Sequence, residues 1–166
     1  INTQQANRAI AENMVGYFNA LNKQDYNSMR NYLYPTDNEQ YLLDILLKSK
    51  AVGITSIRLQ TIYPAIVDGN VAIVGFETST NAVFENKNTS TREINVFFFR
   101  KKNSDWYIAK PQDLSDIPAH KISDMIGQYK SIIKENMTET SVSNQVKYNI
   151  ASYANLKKES QTEATP

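Results

Sequence analysis

The N-terminal third of the chain carries its apolar side chains at helical spacing. One stripe recurs at offsets of 0, 4, 7, 8 and 11, and consists of Ile10, Met14, Tyr17, Phe18 and Leu21. This spacing places the stripe on one face of an amphipathic helix. The pattern therefore predicts a first helix over residues 3 to about 22, with that face directed towards a core.

Two shorter helical patterns follow. Asp25 is placed to cap a short second helix, and Pro35 ends it because proline has no backbone N–H to donate. Thr36 and Glu39 have the spacing of a capping box, so a third helix is expected to begin there. Gly53 can supply the left-handed turn beyond its end. The residues expected to be buried in this helix are Leu42, Ile45 and Leu46.

Beyond Gly53 the period of the apolar positions falls from about 3.6 residues to about two, as in strands. Residues 57–63 predict a first strand, and Asp68-Gly69 predicts a two-residue hairpin turn, since such turns favour positive φ. The returning strand is predicted at 71–76. A polar stretch, "ENKNTSTR", is expected to separate it from the next strand. With a further turn at 101–105, the strands form a four-stranded antiparallel meander.

Residues 96–110 read "VFFFRKKNSDWYIAK", and the strand they predict is apolar on both faces. Side chains alternate along a strand, so Phe97 and Phe99 cover one face of the sheet while Val96 and Phe98 cover the other. An antiparallel sheet commonly leaves one face in water, whereas this one needs a cover on each. The N-terminal helices supply the first. The second cover would be a hydrophobic ligand pocket inside a curved sheet, the C-terminal helices of the same chain, or another subunit.

The C-terminal part of the chain predicts two more helical segments. After a loop at 111–118, the first stripe consists of Ile122, Met125, Ile126, Tyr129, Ile132 and Ile133. A polar break around 138–141 precedes a second, shorter stripe and a polar tail. We therefore divide the chain into a domain at 1–136, which includes the fourth helix, and a C-terminal helix with a frayed tail at 137–166. That last helix either packs on its own domain or presents partner-binding side chains, namely Val146, Tyr148, Ile150 and Tyr153.

Helices followed by meandering strands indicate an α+β fold. We expect N-terminal helices packed on a strongly curved, cone-like, four-stranded antiparallel meander sheet, with two C-terminal helical segments. The order of helices, a long bent hairpin and a closing hairpin that reads "FFFRKKNSDWYI" resembles the nuclear transport factor two-like superfamily. The resemblance covers residues 8–110. It implies a curved sheet that wraps a long first helix to form a cone.

The chain continues for more than fifty residues beyond the closing strand. This extension is similar to that of the scaffold subunit of VirB-type type IV secretion systems, the eighth component of that series. The resemblance implies a non-enzymatic assembly domain of a conjugative channel in a Gram-positive bacterium. Such a domain would face the extracellular side of the cell membrane and be anchored through a segment upstream of Ile1. Its partners would be copies of itself, as a dimer or trimer, and other channel subunits.

The amino-acid composition argues against several kinds of partner and reaction. The chain has 18 Lys and Arg residues against 17 Asp and Glu residues, scattered along the sequence, so no nucleic-acid partner is expected. The lack of cysteine excludes disulfides and thiolate chemistry. The single histidine, His120, has no acidic cluster at ligand spacing and is interpreted as an exposed helix residue. We expect no metal, no cofactor and no catalytic residue.

The alternative function is that of an extracellular lipoprotein or small pocket protein, which binds or acts on an apolar ligand inside the cone. Its pocket would lie near Tyr63, Phe76 and Glu77, with Asp44 as a further neighbour. Glu77 would gain a chemical role there, because apolar walls shift the pKa of a carboxyl group. Glu77 also fits a strand end that emerges into solvent, which is the commoner environment of a carboxylate.

Overall fold

A computed structural model describes residues 2–136 of the chain. Helices α1 (Asn2–Asn22), α2 (Tyr26–Met29) and α3 (Glu39–Val52) come first, with a 3₁₀ turn at Arg30–Tyr32. The strands are β1 (Ile54–Ile62), β2 (Ile66–Asp68), β3 (Val71–Phe84), β4 (Lys87–Lys102) and β5 (Asp105–Ala109). A 3₁₀ turn at Pro111–Leu114 leads into α4 (Ala119–Asn136). The predicted α+β class and order of elements are confirmed.

The strands form one antiparallel sheet in the order β1-β3-β4-β5, and β2 pairs with β3 beyond the end of β1. The single strand expected before the first hairpin turn is thus divided in two. Pro64 lies at the division, and it has no N–H for the ladder. β1 also carries two register shifts against β3, between residues 54 and 56 and between 59 and 61. Such irregularities bend a strand and increase its twist, which curves the sheet.

The hairpin between β3 and β4 corrects the sequence prediction. Residues 85–92 do not separate the two strands. Glu85 and Asn86 make a two-residue turn at φ 49° and 64°, and the ladder runs unbroken from there to the pair of Val71 and Arg100. The expectation of a separating loop is wrong because a hairpin arm in water can be polar throughout while its backbone groups are paired in the ladder.

The first hairpin turn lies one residue later than predicted. Asp68 pairs with Val71 as a strand residue, and the turn consists of Gly69 and Asn70. Gly69 takes a φ of 62°, which costs glycine little because it has no Cβ. Asp-Gly remains a good marker of the hairpin, although the aspartate belongs to the strand.

The start of α3 is tied to the base of the sheet by a buried ion pair. The side chains of Lys110 and Asp113 are each 2% exposed, with Nζ and Oδ2 2.9 Å apart. The Lys110 ammonium also donates to the Thr36 hydroxyl at 3.1 Å and to Asn38 Oδ1. Thr36 in turn donates to Asp113 Oδ1 at 2.7 Å. The predicted cap is therefore wrong: the residue that precedes α3 is Asn38, and the Thr36 hydroxyl is used in this network.

Both faces of the sheet are buried around residues 96–99, as the alternation there predicts. Phe97 and Phe99 pack in the core that contains α1, whereas Val96 and Phe98 belong to the core beneath α4. The side chains that α4 contributes are Ile122, Met125, Ile126, Tyr129 and Ile133. Of the three covers considered for the second face, the structure therefore shows a C-terminal helix of the same chain.

Tyr129 joins α4 to the sheet at one defined point. Its side chain is fully buried, and its hydroxyl accepts a hydrogen bond from the Gly75 N–H. The Gly75 carbonyl accepts from the Tyr63 N–H at 2.9 Å, so both Gly75 groups point towards the break between β1 and β2. A Cβ on Gly75 would lie 2.8 Å from the Tyr129 ring. The close approach of helix and strand therefore requires glycine at this position.

Candidate functional site

A cavity of about 480 Å³ lies inside the cone, between the sheet and helices α1 and α3. Strands β1, β3 and β4 form its wall, α1 forms one side, and α3 crosses the other. Pockets that bind small molecules usually measure about 300–1,000 Å³. The volume is therefore sufficient for a small organic molecule.

Aromatic rings form one end of the cavity. Phe76 on β3 and Phe97 on β4 have ring centroids 4.6 Å apart. Tyr17 meets the edge of Phe97 at 5.8 Å, and Phe18 lies nearly parallel to Phe97 at 6.4 Å. These separations are those of attractive aromatic pairs. The aromatic floor, as we call these four rings, is a continuous apolar surface.

Polarity rises along the wall from the aromatic floor towards the β3–β4 turn. Phe76 lies opposite Asn95 in the ladder, and Thr78 lies opposite Glu93 two pairs further on. All four side chains line the cavity. Because residues two apart on a strand share a face, the register itself makes this wall amphipathic. The cavity can therefore contact an apolar body at one end and a polar group at the other.

Helix α3 supplies the remaining wall. Tyr41, Ile45, Lys48 and Ser49 line the cavity at the spacing of one helical face. The hydroxyl oxygens of Tyr41 and Tyr17 are 3.0 Å apart, which bridges α3 to α1. Burial raises the pKa of Tyr41 above its ordinary value, and the hydrogen bond with Tyr17 opposes this in part. The Tyr41 phenol therefore acts as a neutral hydrogen-bonding group near neutral pH.

Glu93 is the acidic group of the cavity lining. Its side chain is half-buried on β4, and across residues 2–136 no cation or hydrogen-bond donor pairs with it. Lys48 lines the opposite wall on α3, where its side chain is exposed. The cavity thus contains a carboxylate that the described part of the chain leaves without a partner.

The three predicted pocket residues do not come together. Phe76 lines the cavity, but Tyr63 belongs to the core beneath α4 on the opposite face of the sheet. Glu77 follows Phe76 on β3, so it also points to that opposite face, where Arg92 Nε donates to it at 2.9 Å. Asp44 is exposed on α3. The prediction of one pocket around all three residues is wrong because neighbours on a strand face opposite ways.

His120 is exposed near the start of α4. The predicted partner-binding residues Val146, Tyr148, Ile150 and Tyr153, and the helix that carries them, lie outside the described residues. Within residues 2–136, no group of three His, Asp or Glu side chains is arranged to hold a metal ion. Over the same residues, no helix is both long and apolar enough to cross a membrane.

The sequence prediction did not include Glu93 and Asn95 as lining residues, although the sequence contains a pattern that indicates them. The two-residue alternation of Phe99 and Phe97, continued backwards along β4, places both polar side chains on the face that the helices cover. Polar residues on a covered face indicate that the face lines a cavity. The alternation was not followed back to Glu93 because a loop was expected at 85–92. That loop would place Glu93 at the start of a strand, whereas it lies near the middle of β4.

Comparison with solved structures identifies the fold. A proposed dehydratase of the nuclear transport factor two-like family from Streptomyces avermitilis is 10% identical, with a TM-score of 0.52 over 64% of this chain and 94% of that one. A nuclear transport factor two-like protein with a cystatin-like fold from Novosphingobium aromaticivorans is 14% identical, with a TM-score of 0.50 over 63% and 79%. The chain therefore has the nuclear transport factor two-like fold. No protein-family model and no curated protein matches its sequence.

Proposed function

We propose that this domain binds a small molecule inside the cone and does not catalyse a reaction on it. The observation that carries the proposal is the cavity of about 480 Å³ with its aromatic floor and amphipathic wall. The ligand would place an apolar body on Phe76 and Phe97 and a polar group near Thr78 and Glu93.

An unoccupied apolar cavity carries a free-energy cost. Protein interiors are packed about as densely as organic crystals, and voids larger than a water molecule are few. A large apolar cavity forfeits the contacts that its lining would otherwise make. A ligand on the aromatic floor would restore those contacts and remove apolar surface from water. A ligand in the cavity would therefore be stabilised by its apolar lining.

The tyrosine pair of the lining is poorly suited to general-base catalysis. Tyr17 and Tyr41 are the hydrogen-bonded pair of titratable groups among the described lining residues. Burial raises the pKa of Tyr41, so this phenol stays protonated near neutral pH and is a poor general base. A proposed dehydratase shares the fold, so catalytic turnover is the alternative to binding.

The test is a pair of substitutions on adjacent residues of β3. Thr80 lines the cavity, whereas Ser79 points to the opposite face of the sheet. We expect Thr80→Trp to fill the mouth of the cavity and to weaken binding of the neutral fluorescent probe N-phenyl-1-naphthylamine by about tenfold or more, or ~1.4 kcal/mol. Ser79→Trp should bind as the unmodified protein does.

Thermal unfolding of both variants shows whether each is folded before binding is compared. Equal affinity for the probe in all three folded proteins would place the binding site elsewhere and end the proposal. So would a failure of the unmodified protein to bind any of a panel of neutral apolar probes.

A second function, assembly, is favoured by exposed apolar side chains. Leu43 and Leu47 lie one turn apart on α3 and are 46% and 55% exposed, and Phe84 at the end of β3 is 59% exposed. Leucine and phenylalanine in such positions are candidates for contact with another protein. We propose on this basis that the domain also self-associates, as a dimer or trimer.

The similarity of the C-terminal extension would make this assembly the scaffold of a conjugative type IV secretion channel. The domain would then lie on the extracellular side of a Gram-positive cell membrane, with other channel subunits as partners. Val146, Tyr148, Ile150 and Tyr153 would add to the partner surface.

Sedimentation velocity over a range of concentrations tests self-association. The double variant Leu43→Ser, Leu47→Ser should shift the protein towards the monomer, because it removes the exposed leucines of α3. Val15→Ser is the matched control, since Val15 is 49% exposed on α1. A full-length protein that stays monomeric at every concentration would refute the assembly proposal.

A further inference from the structure

The Glu93 carboxylate is a charged group of the cavity wall that has no partner in the described part of the chain. It lies opposite Thr78 and two residues along the strand from Asn95, and its side chain is half-buried. Its oxygens are not among the fully buried side-chain atoms of residues 2–136 that lack a hydrogen bond, so a molecule in the cavity can reach them. A cation that enters the cavity would therefore meet a negative charge that no described residue compensates.

The cations of the domain that lie nearest in sequence or across the cavity do not neutralise Glu93. Arg92 is adjacent, but it points to the opposite face of β4, where it forms an ion pair with Glu77. Lys48 lines the opposite wall, and no ion pair within 4.0 Å joins it to Glu93 among the described residues. Because Lys48 is exposed, water and salt screen its charge.

The aromatic floor adds a second attraction for positive charge. The π faces of aromatic rings attract ammonium and guanidinium groups electrostatically. Phe97 lies on the same face of β4 as Glu93, and the Phe76 ring on β3 lies beside the Phe97 ring. Carboxylate and aromatic rings together form the kind of lining that recognises an organic cation.

We infer that the ligand of this cavity is an organic cation, an amine or quaternary ammonium compound with an apolar body, whose charged end binds Glu93. This inference rests on the proposed binding function and specifies its ligand class. The apolar body contacts Phe76, Phe97 and Ile45, and the cationic end lies at the polar wall between Thr78 and Glu93.

The experiment compares two probes with one fluorescent body. Dansylcadaverine carries a protonated amine, and its N-acetyl derivative is neutral but otherwise nearly the same shape. With the unmodified protein we expect dansylcadaverine to bind about tenfold or more tightly than the acetylated probe, the value of one charge-assisted hydrogen bond. Glu93→Gln should abolish this preference and leave the affinity for the acetylated probe unchanged. Glu135→Gln, which changes an exposed residue of α4, should keep the preference.

The outcomes separate the inference from the function on which it rests. Equal binding of both probes to the unmodified protein, or a preference that survives Glu93→Gln, overturns the cation assignment and leaves the binding function standing. Tighter binding of dansyl-6-aminohexanoic acid, weakened by Lys48→Gln, would assign the cavity to anions and overturn the inference as well. If no dansyl probe and no neutral apolar probe binds, the proposed function fails and the inference fails with it.

Discussion

Removal of one oxygen atom, by Tyr129→Phe, tests the contact that joins α4 to the sheet. The Tyr129 hydroxyl accepts a hydrogen bond from the Gly75 N–H, and the Tyr129 side chain is fully buried. The N–H points towards the break between β1 and β2, where no strand within residues 2–136 offers a carbonyl in its place. Phenylalanine would keep the ring and its packing but leave this N–H without an acceptor.

The expected loss of stability follows from leaving the Gly75 N–H without an acceptor. A buried donor that loses its partner costs about 1–3 kcal/mol of stability. For a domain of this size, each kcal/mol lowers the melting temperature by about 4 °C, so we expect a fall of about 4–12 °C. The substitution should leave the cavity unaffected, because Tyr129 lies on the other side of the sheet.

Thermal and urea unfolding, followed by circular dichroism, measure the effect. Tyr107→Phe is the control: Tyr107 is half-buried on β5, and its hydroxyl has no hydrogen bond with any residue between 2 and 136. This variant should stay within about 0.5 kcal/mol of the unmodified protein. If Tyr129→Phe is as stable as Tyr107→Phe, the hydroxyl does not satisfy the Gly75 N–H and our account of how α4 is anchored is incorrect.

Two further predictions concern buried charge and pH. Lys110→Met should destabilise the domain by about 3–5 kcal/mol, because it leaves Asp113 buried without its cation, whereas Lys101→Met at an exposed position should have little effect in the same unfolding assay. The pKa of Tyr129 is raised by burial, and burial with the nearby Glu77 charge raises that of Tyr63. Both tyrosines therefore lose their protons at a lower pH in the unfolded chain than in the folded domain. The free energy of unfolding should be constant up to about pH 10 and fall as the pH rises further. A urea midpoint that does not fall between pH 9 and 11 would contradict this.

Helical and strand periods were sufficient to predict most of the architecture. The stripe from Ile10 to Leu21 became the buried face of α1, and the alternation at 96–99 required a cover on each side of the sheet. Both predictions succeed because periodic burial is a local property: the geometry of one helix or strand decides which side chains share a face.

The candidate site was predictable only in part. Phe76 was identified, but the prediction joined it to Glu77 and Tyr63, which face the other core. Tyr41 and Glu93 line the same cavity from α3 and β4, far apart in the chain. No local pattern shows that these two side chains converge, since their meeting depends on the β3–β4 register and on where α3 crosses the sheet.

By itself, the sequence determined the class of fold, the order of the elements and the need for two covers, because each depends on spacing along a single helix or strand. Tertiary structure alone decided that α4 provides the second cover and that the interior of the cone stays open as a cavity. It also decided that Lys110 and Asp113 pair with Thr36 across the base of the sheet. Those features depend on the distance between elements, and packing rather than local periodicity sets that distance.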